Sequence, residues 1–245
     1  MKKWSTYLRI QTLLSIRGID LVFFGILMPL GIVGLIGMVT QGQTTSFGYS
    51  FIEGSFGSLM TVGICATAFM GLPLMITDYR EKKILKQFFL TPVSPGFILL
   101  VNVIVCALFS TISACLVYLF LHYVWGFVIV GSVGMVILSF FLTMISMFGL
   151  GMLMASLCHT VKISNLVCSL VYFPMLFLSG ATIPFEIFPE WMQTIASFLP
   201  LSIGIDLLKT TSMNLSSTQV PMQIGILCII ILLSIGVSLK TFKWE

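Results

Sequence analysis

The chain has 245 residues, of which 58% are hydrophobic and only 8% are charged, with a net charge of +4. A soluble globular domain carries about 25% charged residues. A chain this poor in charge cannot cover a water-exposed surface, which excludes a soluble enzyme or a nucleic-acid-binding domain and makes lipid the main solvent.

The N-terminus opens with Lys2 and Lys3. Residues 4–19 place Trp4, Tyr7, Ile10 and Leu14 along one helical face, with Ser5, Arg9 and Thr12 roughly opposite. This pattern predicts a helix lying in the membrane interface ahead of the first span. Arg9, Arg17 and Asp20 precede a full-length apolar segment, and no small-x-small cleavage pattern follows it, so the segment reads as a retained span rather than a signal peptide. A bilayer core needs about 20 apolar residues in helical form. Six segments meet or approach this: 21–39, 58–76, 97–121, 127–157, 163–178 and 222–239. They predict an all-α membrane protein whose residues 1–245 form a single transmembrane domain, with no internal repeat or linker.

Between the second and third spans lies Tyr79–Phe89, YREKKILKQFF. At 100° per residue, Ile84, Leu85, Phe88 and Phe89 gather on one side and Lys83, Lys86 and Gln87 on the other, predicting a short amphipathic helix. Thr91-Pro92 and Ser94-Pro95 end it. Such a helix suits docking of a soluble partner or attraction to anionic headgroups. The stretch 178–209 is too apolar for a free loop, while Pro184, Pro189 and Pro200 cut it into pieces too short to span. It predicts re-entrant or interfacial helices over the outer end of the bundle before the last span.

Lysine and arginine set the orientation. With six spans, Lys2, Lys3, Arg9, Arg17, Arg80, Lys82, Lys83, Lys86, Lys162, Lys240 and Lys243 share one side, leaving only Lys209 of the 12 basic residues on the other. Both termini are therefore expected in the cytoplasm. The six cysteines show no CxxC spacing and read as small apolar residues, and His122 and His159 read as interfacial. No GxxxxGK[ST], HExxH or GxSxG occurs, so no catalytic, cofactor-binding or metal site is expected on this chain. No charge falls inside the spans, which argues against an ion-coupled carrier. Asn102, Asn165 and several Ser and Thr are the buried polar groups, expected to hydrogen-bond between helices.

Two motifs carry a family resemblance. The charged segment followed by Thr91-Pro92-Val93-Ser94, and the run Leu178-Ser179-Gly180, Pro184, Pro189, Trp191, Leu199-Pro200-Leu201, Asp206 and Lys209, together resemble signatures of type-2 ABC exporter permeases. The chain departs from that pattern at Lys83-Ile84, where Gly-Thr is usual, at Asn102, where a lysine is common, and at Lys209, where arginine is usual. The resemblance implies a bacterial plasma-membrane permease that pairs with a second permease chain, as homodimer or heterodimer. It implies a separate ABC ATPase subunit holding ATP and Mg, docked on a coupling helix with Arg80, Glu81, Lys83, Ile84, Lys86 and Phe88. It further implies a hydrophobic or amphipathic cargo (drug, lipid or peptide) passing Thr61, Thr67, Met70, Asn165, Phe173 and Phe177. The outer gate would be Pro184, Pro189, Trp191, Pro200, Asp206 and Lys209. The competing expectation is an immunity or sensor protein of the same fold that binds a toxin without transporting it.

Overall fold

A computed structural model describes residues 2–39, 51–84, 95–180, 188–215 and 218–241, and among these every regular element is a helix. We number the helices in chain order. α1 is Lys2–Arg17, and α2 covers residues 19–39. α3 covers residues 51–81, α4 is Pro95–Trp125, α5 is Val133–Leu157 and α6 is Val161–Leu178. α7 is Glu190–Ser197, α8 is Pro200–Ser212 and α9 is Val220–Thr241. Five of these, α3, α4, α5, α6 and α9, are long and apolar enough to cross a bilayer. Residues 19–39 add roughly 30 Å of helix at about 1.5 Å per residue, enough for a sixth span.

Several boundaries differ from the sequence reading. The second span runs on to Glu81, five residues beyond its expected end, because polar side chains in its last turns find partners on other helices. The residues expected to begin the fourth span, 127–132, are not helical. Gly126 takes φ +68°, a conformation glycine tolerates, and ends α4. The strap that follows spends its backbone donors elsewhere: Val130 and Gly131 N–H both donate to Ser212 O, at 3.1 and 2.8 Å. The expected Tyr79–Phe89 helix is also broken. Residues 79–81 are the last turn of α3, Lys82 and Lys83 form a turn with Lys83 at φ +56°, and residues 85–89 lie outside the described set.

α2 and α3 share an unusual feature. Phe23–Leu27 in α2 and Thr67–Gly71 in α3 are π turns, with Met28 N–H donating to Phe23 O and Leu72 N–H to Thr67 O. Each π turn ends two residues before a proline, Pro29 or Pro73. Proline lacks an N–H and its ring crowds the carbonyl four residues back, so widening the preceding turn by one residue relieves the clash. The two π turns pack together at one depth. A Cβ on Gly25 would stand 3.0 Å from the Thr67 methyl, and one on Gly71 would stand 2.5 Å from Leu21 Cδ1.

α3 is the most enclosed helix; Phe56, Val62, Ile64, Phe69, Leu72 and Ile76 are all fully buried. Glycine lets its backbone approach neighbours. A Cβ on Gly57 would stand 2.5 Å from Ile205 O of α8, and one on Gly151 of α5 would collide with Ala68 O. α7 and α8 meet at 89°. α6 starts beside Glu81 and α9 ends beside Ser156, whereas α8 ends under the strap at Ser212, so the α7–α8 pair enters and leaves at the same end of the bundle.

Candidate functional site

The end where α3, α5 and α9 stop and α6 starts is called here the basic end, since it carries Arg80, Lys82, Lys83, Lys162 and Lys240. Successive residues of a helix point about 100° apart. At the last turn of α3 this sends three consecutive side chains to three different elements. The Tyr79 hydroxyl lies 2.7 Å from Gln11 Nε2 and 3.0 Å from Gln11 Oε1 of α1. Arg80, only 7% exposed, donates from Nη1 to Cys158 O at 2.7 Å and to Ala155 O at 3.2 Å, at the end of α5. Glu81 Oε2 accepts from Val161 N–H at 2.8 Å, at the start of α6.

The charges fit the helix ends they meet. Carbonyls at a helix C-terminus carry partial negative charge and attract the guanidinium, while N–H groups at an N-terminus attract the carboxylate. Thr160 caps α6 through Oγ1, which accepts from Ile163 N–H at 3.3 Å and leaves Val161 N–H to Glu81. Ser156 and Thr241 hydroxyls, 2.8 Å apart, tie α5 to α9 at the same end. α1 joins through Tyr7, whose ring lies 5.7 Å from that of Phe97 at the start of α4. Burial, with a contribution from Tyr79, pushes the Tyr7 phenol up to about 12. Lys82 is exposed and bonds Asp78 Oδ2 at 2.8 Å, which raises the lysine above its ordinary range; an exposed pair of this kind contributes little to stability.

The predicted site residues distribute as follows. Of the docking group, Glu81 and Lys83 are exposed and Ile84 is half-buried, whereas Arg80 is buried and turned into the bundle. Lys86 and Phe88 lie outside the described residues. The six path residues do not share a surface. Thr61 and Thr67 are buried: Thr61 Oγ1 donates to Ser58 O at 2.9 Å, and Thr67 Oγ1 lies against Gly63 O, Ile64 O and the Ser110 hydroxyl of α4. Met70 is half-buried. Asn165, Phe173 and Phe177 are exposed on α6, where Leu166, Leu170, Phe173 and Phe177 form a stripe. A threonine that bonds its own helix carbonyl is buried at low cost, so these polar spacings marked packing between helices. Of the gate group, Pro189 precedes α7, Trp191 is 62% exposed, Pro200 starts α8 and Lys209 is half-buried. Asp206 accepts from Gln223 Nε2 of α9 at 2.5 Å. Pro184 lies outside the described residues.

Neither the pairing of Gln11 with Tyr79 nor the close approach at Gly57 was singled out from sequence. A lone glutamine on an amphipathic helix and a tyrosine at a span end carry no local sign of their partners, which lie 68 residues apart. Asn102 is fully buried, and neither its Oδ1 nor its Nδ2 has a hydrogen-bond partner among the described residues.

Comparison with known proteins adds a family. The family model for ABC-2 type transporters matches residues 1–213. Among curated proteins, Nodulation protein J of Rhizobium leguminosarum bv. viciae is 40% identical over 89 residues, covering 36% of this chain and 34% of that protein. Nodulation protein J of R. leguminosarum bv. trifolii is 36% identical over 97 residues, 40% of this chain and 37% of its own. That of Neorhizobium galegae is 31% identical over 102 residues, 42% of this chain and 39% of its own. The chain thus spans 34–39% of the length of these curated relatives.

Proposed function

Since the chain belongs to the ABC-2 type transporter family, we propose that it is the membrane-spanning subunit of an ATP-driven exporter. A separate ATPase binds and hydrolyses ATP with Mg, and this chain performs no catalysis itself. The ATPase docks on the connection from Lys82 to Ser94, a second permease chain completes the path, and the cargo is hydrophobic or amphipathic. The complex sits in a bacterial plasma membrane with both termini cytoplasmic, as the asymmetry of lysine and arginine favours.

The observation that carries this reading is the junction at the tip of α3. A connection that leaves the membrane through a turn tethered to α1, α5 and α6 is a place where a soluble partner gains purchase on most of the bundle at once. The exposed stripe Leu166, Leu170, Phe173 and Phe177 supports an apolar surface for a second chain or for cargo.

Purification of the tagged chain from its own membrane in mild detergent tests this. A stoichiometric partner carrying GxxxxGK[ST], lost when Lys83 and Lys86 are both changed to Glu, is the expected result. A preparation free of any such ATPase, under conditions that preserve other membrane complexes, overturns the exporter reading in favour of toxin binding without transport.

A further inference from the structure

We propose that Arg80 and Glu81 are positioning residues that fasten the tip of α3 to the α5–α6 turn, so that residues 72–81 move as one lever about the paired π turns and carry that turn with them. This rests on the reading of residues 82–94 as the place where an ATPase pushes, and it names how the push enters the bundle.

Three observations build the lever. Its pivot is the π turn Thr67–Gly71, where the hydrogen-bond ladder shifts register and Pro73 then omits one donor. The pivot is matched at the same depth by the π turn Phe23–Leu27 of α2, so bending one helix there meets a helix that is itself able to bend. Its arm is the regular helix Leu72–Glu81, about 15 Å long. Thr77 Oγ1 donates to Pro73 O at 2.8 Å, using a carbonyl in the arm's first turn.

The tip is the third part. The α5–α6 turn is only residues 158–160, so the negative end of α5 and the positive end of α6 stand side by side. Arg80 meets the first and Glu81 the second, and exchanging the two charges would set like against like at both ends. Thr160 serves Ile163 N–H rather than Val161 N–H, so among the described residues Glu81 is the side chain that holds Val161. A force on Lys82–Lys83 is therefore passed through Arg80 to the end of α5 and through Glu81 to the beginning of α6.

The test uses pairs of spin labels on the full chain in phospholipid nanodiscs, with exposed Cys115 and Cys228 changed to Ala. Labels replace exposed Lys82 and Lys162, on either side of the clamp. The expected result is a single narrow distance distribution that is lost in Glu81→Ala. It is largely kept in Glu81→Gln, whose amide oxygen still accepts from Val161 N–H. A broad distribution in the parent, or a narrow one that survives Glu81→Ala, overturns the clamp. The same pair is then measured in the complex with its co-purified ATPase, before and after trapping with ATP and vanadate. The Lys82–Lys162 distance should stay fixed while the distance from Lys162 to a label at Tyr123, on the opposite end of α4, changes. A Lys82–Lys162 distance that changes as much as the second pair overturns the lever. If no ATPase co-purifies, the exporter reading fails, and the comparison of Glu81 variants in the chain alone still decides the clamp.

Discussion

Arg80→Met removes the guanidinium and keeps an unbranched side chain to fill its place. In the parent, Nη1 bonds Cys158 O at 2.7 Å and Ala155 O at 3.2 Å from a site only 7% exposed. A hydrogen bond to a charged group contributes about 1.5–3 kcal/mol, and the longer second bond adds less. Removing the charge also relieves the cost of keeping it out of water, which offsets part of the loss. The net destabilisation expected is about 2 kcal/mol, or a fall of about 4–8 °C in midpoint for a chain of this size. With exposed Cys115 and Cys228 changed to Ala the protein supplies its own reporter: Cys65, Cys106 and Cys168 are buried, so a maleimide dye that fluoresces on reacting with thiols reads unfolding. Arg80→Lys keeps the charge but reaches the two carbonyls with a flexible point donor in place of a planar fork, and should fall between parent and Met. A midpoint unchanged in Arg80→Met would refute the claim that the guanidinium closes the end of α5.

Two further outcomes follow from packing and protonation. Gly151→Ala drives a methyl into Ala68 O and Gly57→Ala places one 2.5 Å from Ile205 O, so each should cost about 1–3 kcal/mol in the same dye melts. Gly34→Ala meets nothing within 4 Å inside a helix and should gain about 0.5–1 kcal/mol, giving opposite signs for one chemical change. Cys158, at the α5–α6 turn, has its thiol pushed above the ordinary range by burial, against which Ser164 and Arg80 pull it down. It should be protonated and inert to a small water-soluble maleimide at neutral pH. Labelling followed by mass spectrometry should show it reacting only as the pH is raised beyond the usual thiol range.

The existence of the spans was legible because about 20 apolar residues in lipid must be helical. Their ends were not, because hydropathy marks where apolar side chains stop rather than where the ladder stops. α3 continues through Thr77, Asp78, Tyr79, Arg80 and Glu81, each polar, because all but one of these side chains find a partner in the helix or on another element and Asp78 pairs with exposed Lys82. The opposite error occurred at 127–132, where the apolar run Phe127 to Val130 read as helix. Phe127 is buried and stacks on Phe56 with ring centroids 4.5 Å apart, so burial of an extended strap produced the same hydropathy as a span. Arg80 was misread for a related reason. Its docking role came with the family resemblance, and the carbonyls it meets are 75 and 78 residues away.

The two halves of the bundle are held by different chemistry, and this bears on which half moves. Toward the far end, α3, α8 and the strap interlock through backbone: Gly57 lies on Ile205 O and Gly131 on Thr211 O. Contacts of that kind leave no side chain to readjust and give way only by separating whole helices. At the basic end the helices are joined instead by single polar side chains, namely Tyr79 to Gln11, Arg80 to Cys158, Glu81 to Val161 and Ser156 to Thr241. Such tethers keep neighbours together while their side-chain torsions absorb a change of angle. Between the halves stand the two π turns, each prepared by a proline. On the lever reading α2 and α3 bend at the level of Gly25 and Thr67, where the seating of Gly151 on Ala68 O keeps α5 against α3.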